Sequence, residues 1–124
     1  MSQWTHVSAS IRFDGIMGIG LPTELDLGVI CTFEDWNETD MPCGSEGGIE
    51  YTVIKNKDEN SMAAMVVVFY GDLRDYEDSK EILSYFEKIT NGRMIRSGIL
   101  EIEIEYQEKL VYSFDSEESK WIKQ

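Results

Sequence analysis

Residues 62–92 read MAAMVVVFYGDLRDYEDSKEILSYFEKITNG, and they decide the fold class. Met62 to Tyr70 is almost wholly apolar and rich in valine, the composition of a central strand buried on both faces. Gly71 to Asp78 breaks that run with charge and reads as a strand-to-helix turn. Asp78 and Glu81 stand at capping-box spacing. Ile82, Phe86 and Ile89, with Leu83 and Tyr85 beside them, make one apolar helix face. Asn91-Gly92 then stops the helix, because glycine takes the left-handed conformation without steric penalty. A buried strand that feeds an amphipathic helix implies a helix packed back on a sheet.

Working outward, residues 4–13 alternate. Trp4, His6, Ser8, Ser10 and Arg12 fall on one face, and Thr5, Val7, Ala9, Ile11 and Phe13 on the apolar other. Asp14-Gly15 reads as the turn that ends this strand. Pro22-Thr23 resembles a helix entry, with Leu25, Val29, Ile30 and Phe33 on one face; a strand over residues 28–33 is the rival. Residues 34–41 form an acidic loop. The glycine-rich loop 42–48 leads into a strand in which Ile49, Tyr51 and Val53 alternate with polar residues, and residues 55–60 read as a hairpin loop. Beyond Gly92, Leu100, Ile102, Ile104 and Tyr106 oppose Glu101, Glu103 and Glu105. A turn at residues 107–109 returns the chain through Leu110, Tyr112 and Phe114. Residues 116–124 are a polar tail in which Trp121 and Ile122 are expected to dock as a short helix or in a subunit contact. The expected fold is therefore a single α+β domain over residues 1–124. Its strand–helix order is the ferredoxin-like βαββαβ with an additional C-terminal hairpin strand, on an antiparallel sheet. Such a fold does not choose a function.

Charge and missing groups narrow the chemistry. Twenty-four acids against eleven bases give a net charge of −13, which disfavours direct binding to a nucleic-acid backbone and suits imitation of one towards a basic partner. Cys31 and Cys43 are widely spaced, no leader or membrane-spanning run is visible, and a cytoplasmic protein with free thiols is expected. The single histidine, His6, has Ser8 and Ser10 on its strand face, but parallel strand neighbours do not build a base–nucleophile pair, so a structural or ligand-binding role is expected for it. No spacing suits zinc or an EF-hand, and nothing calls for a cofactor. An enzyme is not expected.

Binding is the remaining class. The GSEGG loop, with Ser45, lacks the lysine of a Walker loop but offers glycine amides as an anion nest; a tight turn is the plainer reading. Arg74, between Asp72 and Asp75, either binds a ligand or braces its turn. Arg12, Arg74, Arg93 and Arg96 are candidate phosphate ligands, because a guanidinium offers a planar fork of donors. Trp4, Tyr76 and Tyr85 are candidates to stack a base. Glu101, Glu103 and Glu105 offer a second kind of surface: carboxylates repeating every ~6.8 Å on one strand face approach single-strand phosphate spacing.

The stretches SQWTHVSASIRFDG (residues 2–15), PCGSEGGIEYTV (42–53) and FYGDLRDYEDSKEI (69–82) together resemble small proteins encoded by phages and prophages of Gram-positive bacteria. The resemblance fades at residues 16–40 and in the tail. It implies a counter-defence protein in the host cytoplasm. One mode is a homo-oligomeric sponge, similar to the anti-Thoeris proteins, that sequesters an immune signalling nucleotide of cyclic or ADP-ribose type. The alternative is an acidic inhibitor of a host defence enzyme such as a CRISPR nuclease, and a further one is an accessory phage structural protein. No binding residue carries over from the resemblance.

Overall fold

Alternation along the strands sets which face is core. The structure, a computed structural model, describes residues 3–16, 42, 44–55 and 62–124. These form β1 (Trp4–Ile16), β2 (Ile49–Lys55), β3 (Met62–Arg74), α1 (Ser79–Thr90), β4 (Met94–Ile104), β5 (Leu110–Asp115) and β6 (Lys120–Lys123). The strands make one sheet in the order β2-β3-β1-β4-β5-β6, with every neighbouring pair antiparallel. Val7, Ile11, Phe13, Met65, Val67, Phe69, Leu100 and Ile102 are buried on the inner face, where α1 lays Ile82, Phe86 and Ile89. Phe86 meets Phe69 edge-on at 5.0 Å and Trp121 at 6.3 Å, so one aromatic chain joins β3, α1 and β6. Asp78 caps α1 by accepting from the Glu81 amide at 3.1 Å, as the capping spacing predicts. Gly92 takes φ +73° just beyond the helix.

Among the described residues there is one helix, so the arrangement established is an antiparallel six-stranded sheet with a helix on one face. The expected βαββαβ order is not reached, because the segment assigned as its first helix, residues 23–33, lies outside the described residues. So do the acidic loop at 34–41, most of the hairpin loop at 55–60, Cys31 and Cys43. No helix among the described residues is long and apolar enough to cross a membrane.

Four expectations are corrected. First, β3 is not buried on both faces: Val68 is 37% exposed and Tyr70 56%, because α1 covers only the inner side. Second, β3 does not end at Tyr70 but runs to Arg74, with Gly71 against the Gly48 backbone and Leu73 in the core. Third, Asp14-Gly15 is not a turn. β1 continues through it to Ile16, and Asp14 is buried. Fourth, the polar tail contains β6, which pairs with β5 and buries Trp121. The indole N–H donates to the Thr90 hydroxyl at 3.2 Å, and Gly98 leaves the ring its space, since a Cβ there would lie 2.9 Å from it.

Candidate functional site

The antiparallel register places Trp4, His6, Arg12 and Arg74 on the outer sheet face and divides them between its two ends. His6 and Arg12 are six residues apart on β1, which separates the ends by about 20 Å.

At the first end, the start of β1 meets the ends of β3 and β4. His6 lies opposite Asp72 on one side and Glu103 on the other. Its Nδ1 is 2.5 Å from Asp72 Oδ1, and its Nε2 is 3.2 Å from Glu105 Oε2. Two carboxylates on opposite edges of the ring favour the doubly protonated imidazolium. The Asp72 hydrogen bond raises the His6 pKa most; burial works against it, and Glu105 adds to the rise. Glu105 Oε1 also accepts from the Trp4 amide at 3.0 Å. With both ring nitrogens committed to carboxylates, His6 has no free edge with which to activate Ser8 or Ser10. Because Asp72 and Glu105 flank the ring from opposite sides, they do not converge on one ion, and no cluster of three or more His, Cys, Asp or Glu among the described residues has a metal-holding arrangement.

Ser45 and Arg74 join this end through each other. The Ser45 amide donates to the Arg74 carbonyl at 2.9 Å, and the Arg74 amide to the Glu46 carbonyl at 3.0 Å. The Arg74 guanidinium bonds Glu46 at 2.7 Å and lies 3.8 Å from Asp75. The Gly44 amide donates to Gly47. The loop's amides at 44 and 45 are thus spent within the fold, as in a tight turn. Gly47 takes φ +73° with its α-carbon against the Asp72 carbonyl, so no side chain fits there. Tyr76 belongs to the other side of the sheet. Its carbonyl accepts from the buried Thr5 hydroxyl, its ring packs on the core, and burial, then Glu81, pushes its own hydroxyl well above the ordinary value. Tyr85 is buried between Phe69 and Phe86. Neither tyrosine is placed to stack a ligand.

At the opposite end, Arg12 and Arg96 share Asp14, with Nε to carboxylate distances of 3.1 and 2.7 Å. A bulge in β4 opposite Arg12 and Phe13 brings Arg96 there, because the extra residue shifts the register at that point. Burial raises the Asp14 pKa, but the Arg96 and Arg12 hydrogen bonds outweigh it and hold the carboxyl below its usual value. Beside this trio, Arg93, Arg96, Phe114, Ser116 and Ser119 line an open cleft of about 390 Å³ together with Asp14. Across Phe114 and Ser119 it adjoins a second cleft of about 440 Å³, with Glu87, Lys88, Asn91 and Lys120 among its walls.

The glutamate row is only partly available. Glu101 lies 3.4 Å from Lys109 and Glu105 is on His6, while Glu103 is exposed and in no ion pair among the described residues. Sequence reasoning missed Asp14, read as a turn residue, and the partnership of Asp72 with His6 in place of Arg74. The period-two parity that puts Asp14 on the face of Arg12 was the available signal for the first. Nothing local reveals the second, which depends on the β1–β3 register. Compared with protein-family models, with curated proteins and with solved structures, the chain matches none.

Proposed function

We propose that this protein is a non-catalytic binding protein that holds a phosphorylated small molecule in the Arg93–Arg96 cleft. The observation that carries this reading is local charge. In a chain of net charge −13, Arg93 and Arg96 line one cleft, Arg12 shares Asp14 with Arg96 beside it, and among the described residues Asp14 is the one acid on the cleft wall. A phosphate there meets guanidinium forks and two serine hydroxyls, with Phe114 as an apolar wall. Arg74, Ser45, Trp4 and His6 play no part, because they sit at the far end among carboxylates. The strand order β2-β3-β1-β4, with α1 between β3 and β4, supports a ferredoxin-like core extended by β5 and β6. The resemblance to phage and prophage proteins adds the setting: a counter-defence sponge in the host cytoplasm, with a cyclic or ADP-ribose-type signalling nucleotide as its ligand.

The acidic-inhibitor reading draws on a different observation. Glu46, Glu50, Asp72, Asp75, Glu101, Glu103 and Glu105 crowd the His6 end, where the cations facing them are Arg74, Lys109 and His6. That end suits a basic protein partner.

Calorimetric titration of the purified protein with a panel of cyclic and ADP-ribose-type nucleotides separates the two. The sponge reading expects micromolar or tighter binding by one of them, weakened at least tenfold by Arg93→Ala and by Arg96→Ala, and unchanged by Glu103→Lys. Absence of binding across the panel, or binding indifferent to both arginines, overturns it.

A further inference from the structure

Ile54, Val68, Tyr70, Ile99 and Ile122 are all large, all exposed, and all on the outer face of the sheet. They fall in rows that the register fixes. One row crosses the sheet as Thr52, Val68, Ser10, Ile99, Ser113 and Ile122. On one side of it lie Glu50, Tyr70, Ser8 and Glu101, and then Asp72, His6 and Glu103. On the other side lie Ile54, Val66 and Arg12, with Arg96 at the bulge. The face thus has an acidic end, an apolar middle with small serines at its centre, and an end where exposed Arg12 and Arg96 flank the buried Asp14.

We infer that this face is covered by a second copy of the same chain, related by a two-fold axis that runs across the strands along the Val68–Ser10–Ile99 row. Charge selects this axis. A two-fold along the strands would set the acidic end on its own copy, and like charges would oppose each other. The axis across the strands reverses strand direction instead. It lays Val68, Ile99 and Ile122 on their counterparts, Tyr70 over Val66, and Glu101 and Glu103 over the Arg96 bulge of the second copy's β4, one strand away from its Arg12. The contact is isologous, so each complementary pair occurs twice. Two sheets packed this way lie about 10 Å apart with strands within about 30° of each other. Six strands and four to five outward rows give an area of about 600 Å² per copy, or about 1,200 Å² in all, at the lower limit of stable interfaces. Ser8 and Ser10 let the sheets approach where β1 crosses β1. The inference goes beyond ligand binding and stands without it, although Arg96 belongs to both surfaces.

Sedimentation equilibrium of the full chain without nucleotide tests this. The expected result is a species of twice 14.3 kDa at tens of micromolar protein. Ile99→Asp, at a position 46% exposed, is expected to give a folded monomer with its melting temperature read alongside. Glu101→Arg with Glu103→Arg places like charges over Arg96 and one strand away from Arg12, and is expected to weaken the dimer at least tenfold. Arg93→Ala, which tests the ligand reading, leaves the dimer intact. A wild-type monomer at these concentrations, or a dimer that Ile99→Asp and the double arginine variant leave unchanged, overturns the inference.

Discussion

His6 is the one histidine in the chain, and its bonds to Asp72 and Glu105 tie β3 and the turn that follows β4 to β1. Its pKa is raised above the ordinary imidazole value of 6.5. A raised folded-state pKa means that the stabilisation is fully present below the unfolded value, near 6.5, and is lost as pH rises through the higher folded value. The wild-type melting temperature is therefore expected to fall relative to His6→Gln as pH increases from about 6 to about 8.5, and the two are expected to converge at the alkaline end. The lone imidazole also gives one NMR titration curve, which reads the shift directly; a midpoint at or below 6.5 defeats the argument. Asp14 has the opposite sign. Its carboxyl is depressed, so its contribution is present above the unfolded value of 3.8 and is lost as pH falls through the lower folded one. Sequence parity placed His6 and Arg12 outside the core correctly. It could not say which carboxylates meet them, because that is a property of cross-strand register.

At the scale of elements, α1 was legible and β6 was not, for physical reasons. α1 announces itself by a cap, a three-to-four-residue apolar period and a glycine stop, all local. Asp78→Ala removes an N-cap bond and is expected to cost about 1 kcal/mol, or roughly 4 °C in melting temperature. A change below about 1 °C by calorimetry would show the cap to be dispensable. β6 has four residues and one inward side chain, too few for any period to register. Its position depends on Trp121 finding Phe86, Phe114 and the Thr90 hydroxyl. Trp121→Ala vacates that space and is expected to cost about 3–5 kcal/mol. Chemical denaturation at fixed protein concentration measures it, and a loss under about 1 kcal/mol would mean that β6 only rests on the sheet. The extension of β3 past Tyr70 was hidden for a related reason. Gly71 and Asp72 are poor strand residues by composition, and they are held extended by pairing with β1 and by the glycine contact to Gly48.

At the scale of the molecule, what was least legible is the segregation of charge. The same arginines and glutamates could have interleaved. They separate because β1 lies between β3 and β4 and runs antiparallel to both, so the start of β1 shares an end with Asp72, Glu103 and Glu105, and its finish shares one with Arg96. Two electrostatic effects then compete in the folded state. Surface ion pairs such as Arg74–Glu46 and Lys120–Glu118 contribute little in high-dielectric solvent and weaken with salt. The excess of thirteen negative charges repels across the whole molecule, and that repulsion is long-ranged: the screening length falls from about 30 Å at 0.01 M salt to about 8 Å at 0.15 M. Screening acts on the distant repulsions before it reaches pairs in contact, so repulsion is the larger salt-dependent quantity. The melting temperature is expected to rise by several degrees over that range of sodium chloride. Measuring it on Ile99→Asp as well as on the wild type removes any contribution from self-association. A melting temperature that falls with salt in both proteins would mean that the ion pairs at the two ends, and not the net charge, govern the stability of the fold.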